Sequence, residues 1–161
     1  MEIISGSDPR ISWHHDSHFG RNTSCRYPGD GAPPGAIGSW GECVAMNYLA
    51  NRGVFVIRHV VFRLRNFRVI ADLFHPPTTT VYEVKTSSRR AEPNFRDEIW
   101  LDRKLVEEKM AKLVVYVHVK SRNSLAISDS QKRTIRGAGF EILDIEGQSI
   151  EFEQLSGLSR S

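Results

Sequence analysis

Val81-Tyr82-Glu83-Val84-Lys85 alternates strictly between apolar or aromatic residues and charged ones. Successive side chains of a strand point to opposite faces, so Tyr82 and Val84 share one face while Glu83 and Lys85 share the other. Pro76 and Pro77, just upstream, cannot donate ladder hydrogen bonds and mark an interruption in pairing. Downstream, Leu113 to Val119 is nearly all apolar, as a strand covered on both faces should be. Between the two, Asp97 to Lys112 has helical spacing, with Ile99, Val106 and Met110 in one stripe flanked by Leu101 and Leu105. The strand-helix-strand order predicts a right-handed parallel crossover and makes the Val81 strand interior to a sheet. A charged face on an interior strand needs a chemical explanation.

Upstream, Val54 to Arg65 and Phe67 to Phe74 are rich in β-formers and are joined by a plausible turn at Arg65-Asn66. Ser39 to Asn51 reads as a helix, opening on the capping box Ser39-x-x-Glu42 and closing at Gly53. Met1 to Ile37 is rich in Gly, Pro, Ser, Asn and Asp and is expected to be an irregular arm or linker. On the other side, Ser128-x-x-Gln131 caps a short helix ending near Gly137 to Gly139, and Phe140 to Ile145 makes a last strand. The expected organisation is an arm over 1–37, one α/β core over 38–147, and a tail over 148–161.

The size and composition suit a single globular domain: 161 residues, 40% of them apolar and 25% charged. No apolar run approaches the roughly 20 residues of a membrane span, and no signal-type core follows Met1 to Gly6, so a soluble chain is expected. A net charge of +3 permits attraction to a polyanion without requiring it. Cys25 and Cys43 have no CxxC spacing and indicate neither a zinc knuckle nor a disulfide framework, which is compatible with a reducing compartment.

Hydrolysis of a phosphodiester calls for a divalent cation that polarises the phosphate and activates water, held by hard oxygen ligands. Magnesium takes one or two protein carboxylates and fills its other positions with water and substrate. Asp72, at the end of Val69-Ile70-Ala71-Asp72, and Glu83, on the next strand, can supply those carboxylates. Lys85 lies about 7 Å from Glu83 along the same face, close enough to stabilise charge on the same phosphate. Glu42 falls on the apolar side of its helix with Ala45, Met46 and Leu49, where a carboxylate needs a partner. A metal or Lys85 would supply that partner, or Glu42 simply closes the capping box. The run Trp13-His14-His15-Asp16-Ser17-His18 offers a different metal site and a competing zinc-hydrolase reading.

Ala71-Asp72, then Glu83-Val84-Lys85, behind a helix carrying Glu42, resembles the PD-(D/E)xK or restriction-endonuclease-like nucleases over roughly Gly38 to Val119. Ala71 stands where many members have a proline. The resemblance implies a restriction-endonuclease-like α/β/α core, a mixed sheet flanked by helices. It also implies Mg2+-dependent endonuclease chemistry, with Mn2+ as a substitute, and the set Glu42, Asp72, Glu83 and Lys85, of which Asp72 and Glu83 bind metal. Thr86, Arg89, Arg90 and Arg96 are the expected substrate contacts, with Ser87, Arg103 and Lys104 as further candidates. DNA is the first expected substrate and tRNA or other RNA the second. The minimal core behind a Gly/Pro-rich arm looks like the nuclease domain of a polymorphic bacterial toxin, acting in the cytoplasm of a target cell and paired with an immunity protein. A compact restriction or repair enzyme, and a nuclease-derived module that binds nucleic acid or protein without cutting, are the alternatives.

Overall fold

The computed structural model describes residues 2–3, 8–14, 25–29, 31–86, 95–120 and 127–147. Strands β1 (Glu2–Ile3), β2 (Ile11–Trp13), β3 (Ile57–Arg63), β4 (Arg68–His75), β5 (Thr80–Lys85), β6 (Leu113–Lys120) and β7 (Glu141–Glu146) form one 7-stranded sheet in sequence order. Pairing is antiparallel from β1 through β5 and parallel from β5 through β7. The change of sense follows from the connections. A tight turn at Arg65-Asn66, with Leu64 and Phe67 bonded across it, returns β4 on β3, whereas helices α2 (Phe95–Glu107) and α3 (Asp129–Gly137) carry the chain back between parallel strands.

β6 is buried on both faces, as its apolar sequence requires, and it separates two cores. Val114 and Tyr116 join Ile99 and Leu105 of α2 and Ile135 of α3. Val115, Val117 and Val119 join Trp40, Val44, Ala45 and Leu49 of helix α1 (Pro34–Ala50). The molecule is therefore three layers deep, with α1 on one side of the mixed sheet and α2 and α3 on the other.

Several expectations need correction. The helix carrying Glu42 starts at Pro34 with Pro33 as its N-cap, so the Ser39-x-x-Glu42 capping box does not form; proline at the first position, already lacking an N–H, begins a helix without a side-chain cap. The stretch read as an irregular arm contributes β1 and β2 to the sheet. Cys25 and Cys43 form a disulfide that ties the segment before α1 to the helix itself. Asp72 does not end its strand, because β4 continues to His75. Helix α2 stops at Glu107, and Val106 is exposed; its buried side is Ile99, Asp102 and Leu105. The Ser128–Gln131 capping box does form, both of its bonds being present.

Candidate functional site

β5 lies between β4 and β6, and Glu83 is only 6% exposed, so Glu83 and Lys85 are not an ordinary pair on an edge strand. They face α2, on the same side as Tyr116, as the alternation predicts. Burial pushes the Glu83 carboxyl well above the ordinary carboxylate range, and nearby Asp102 and Asp72 push it further, against a partial offset from Lys85.

Asp72 comes to Glu83 through a fault in the sheet. In β3, Ile57 shares a core with Val60 and Phe62; in β4, Phe74 shares that core with Ala71 and Val69. Strict alternation would put them on opposite faces, so each strand shifts face once, at His59 and at Asp72. The β3–β4 ladder runs in one register on both sides but omits the His59–Asp72 step, and His59 has a left-handed backbone, φ 53°. The β4–β5 ladder stops at Leu73–Tyr82, immediately before Asp72 would face Glu83. Freed from the ladder, Asp72 accepts a 2.8 Å hydrogen bond from the Val84 N–H through Oδ2. That bond takes the place of a ladder bond and holds the carboxylate between the two strands.

Lys85 donates to both carboxylate oxygens of Glu98, at 2.8 Å each. One turn further along α2, Asp102 is 2% exposed and accepts a 2.6 Å bond from the Tyr116 hydroxyl. Burial raises Asp102 to about 7, although the Tyr116 bond favours its charged form. Burial likewise raises Tyr116, which remains a neutral donor. Glu98 and Asp102 stand four residues apart on one helix face, a spacing visible in the sequence but masked there by the apolar stripe assigned to α2.

Glu42 stands on α1 beside the end of β5. The helix comes close because Gly41 has no side chain: a Cβ there would collide with the side chain of Thr86. Glu42 Oε1 lies 2.7 Å from His59 Nε2 and 3.7 Å from an Arg58 guanidinium nitrogen. Its partners are thus two β3 residues that the sequence reading did not select, and Lys85 is engaged elsewhere. Burial raises the Glu42 carboxyl, Asp72 adds to the rise, and His59 and Arg58 work against it.

Glu42, Asp72, Glu83 and Lys85 therefore converge, joined by Glu98, Asp102, Arg58 and His59. Arg96 is exposed on the first turn of α2, and Thr86 packs at Gly41. Arg89, Arg90 and Ser87 lie outside the described residues, as do His15 and His18. His14 is exposed at the end of β2. Among the described residues no group of three or more His, Cys, Asp or Glu side chains is arranged as a ready-made metal site. The two-carboxylate arrangement that suits magnesium requires fewer, and the donors are the hard oxygens it prefers. The Glu83 carboxylate is buried beside two other acids, Asp102 and Asp72. Such a group is satisfied by a cation or by water. No protein-family model and no curated protein matches this sequence.

Proposed function

We propose that this chain is a divalent-cation-dependent endonuclease of the restriction-endonuclease-like type, with DNA as its first substrate class and structured RNA such as tRNA as its second. One observation carries the reading: Asp72 and Glu83 meet where β4 and β5 stop pairing, with Lys85 on the Glu83 face. Asp72 and Glu83 would hold Mg2+, or Mn2+ in its place; the ion supplies Lewis-acid activation of the phosphate and of water.

The side chains divide the remaining work. Lys85, held by Glu98, presents a positive charge that offsets charge developing on the phosphoryl oxygens. Asp102, fixed by Tyr116, backs Glu83 and adds a further acid to that wall of the site. Glu42 closes the opposite side beside Asp72. Arg96, Arg89 and Arg90 are the proposed backbone contacts, since a guanidinium matches phosphate oxygens through a planar fork of donors.

The Cys25–Cys43 disulfide favours an effector that passes through an oxidising compartment over a permanent resident of a reducing one. A toxin domain acting inside a target cell, with a cognate inhibitor in its producer, fits that history.

The test is incubation of purified protein with supercoiled plasmid and, separately, with tRNA in Mg2+ or Mn2+. EDTA, Asp72→Ala and Lys85→Ala should each abolish cleavage. Plasmid and tRNA that both persist with metal present would replace this reading with that of a binding module.

A further inference from the structure

Among the described residues, His59 is the histidine that touches the acidic cluster, and three observations set it apart from a surface imidazole. Its backbone is left-handed, a conformation that costs a branched or bulky side chain free energy and persists only where the surroundings impose it. It sits at the step where both β3 and β4 shift face, opposite Asp72. Its Nε2 is 2.7 Å from the half-buried Glu42 carboxylate, while the His59 side chain as a whole is 56% exposed. The ring is thus oriented by a carboxylate on one side and open to solvent on the other.

Building on the nuclease reading above, we propose that His59 is the proton acceptor of the reaction, oriented by Glu42. With Nε2–H donating to Glu42, the tautomer is fixed and Nδ1 carries the lone pair, the arrangement by which a carboxylate-imidazole pair activates an oxygen nucleophile. Nδ1 takes a proton from water as the water oxygen forms its bond to phosphorus. The bond from phosphorus to the leaving oxygen breaks with its electron pair, the leaving oxygen is protonated from solvent, and His59 returns its proton to solvent. Charge and atoms balance with water as the only co-reactant. Asp72 and Glu83 are left to hold the divalent cation against the phosphate, a division that leaves the open side to an imidazole rather than a third acid.

The test is chemical rescue in the full chain with supercoiled plasmid and, in parallel, tRNA. His59→Gly suits the left-handed backbone and leaves a solvent-open gap. It should cleave at least about 100-fold more slowly than the wild type, within the usual range for loss of a general base. Added imidazoles should restore cleavage, with a rate that rises with the basicity of the added compound. His59→Gln, whose amide can still donate to Glu42, should be as slow and resist rescue because its side chain fills the gap; it tests the role even where His59→Gly folds poorly. Undiminished cleavage by His59→Gln overturns the role of His59 alone, as does rescue that is absent or indifferent to basicity in a folded His59→Gly protein. A wild-type chain that cleaves neither substrate overturns the nuclease reading and this role with it.

Discussion

Asp72 accepts the Val84 backbone N–H through one carboxylate oxygen, which makes the acid part of the sheet as well as part of the site. Its two roles separate by substitution. Asp72→Asn keeps an acceptor for Val84 and should unfold within about 0.5 kcal/mol of the wild type, whereas Asp72→Ala leaves that N–H unpaired and should cost about 1–2 kcal/mol. Both should lose cleavage by at least about 100-fold. Urea denaturation beside a plasmid-cleavage assay separates the structural loss from the chemical one.

Acid crowding around Glu83 predicts an unusual dependence of stability on pH. Asp102 is raised to about 7, so the folded state binds its proton more tightly than the unfolded chain does. Its contribution to stability is complete below the unfolded value, about 4, and is lost as pH rises through about 7. Glu83 shifts in the same direction. In EDTA the wild type should therefore lose stability between about pH 4 and pH 7, and Asp102→Asn should flatten that slope. Thermal melts across that range check it; parallel slopes in the two proteins would count against the assignment.

A divalent cation should act in the opposite sense, because it binds the deprotonated acids. Mg2+ or Mn2+ should raise the melting temperature more at pH 8 than at pH 5, by mass action on the folded state alone. Glu83→Gln should abolish the difference. Differential scanning fluorimetry provides the readout without any substrate.

Reduction tests the tether on α1. Opening Cys25–Cys43 releases a loop with a sequence separation of 18 and should cost about 2–4 kcal/mol, as should Cys25→Ser with Cys43→Ser. Denaturation with and without reductant measures it. The double variant should show no further response to reductant.

Much of this architecture was legible in the sequence because it is carried by local patterns. Strict alternation placed Glu83 and Lys85 on one face, the apolar run Leu113 to Val119 announced a strand buried on both sides, and Ser128 with Gln131 marked the start of α3. What was missed depends on contacts distant in the sequence. The Cys25–Cys43 bond and the addition of β2 to β3 join segments whose local composition reads as loop. Helical spacing turns Glu42 inward, but only the packing of α1 across the sheet identifies Arg58 and His59 as its partners. The paired shift at His59 and Asp72 was hidden for a related reason: each strand alone shows an alternation fault, and only the pairing shows that the faults face one another. Glu98 and Asp102 are hidden in the sequence because the apolar spacing of Ile99, Val106 and Met110 suggests a different buried stripe, whereas Val106 is exposed.

The sharing of one cation by Asp72 and Glu83 is tested most directly by Mn2+ binding, followed by electron paramagnetic resonance of the free ion at pH 8. The expected result is a single site in the wild type that weakens by at least about tenfold, roughly 1.4 kcal/mol, in Asp72→Asn and in Glu83→Gln alike. Equal binding by the wild type and both variants, or no binding by any of them, would contradict it.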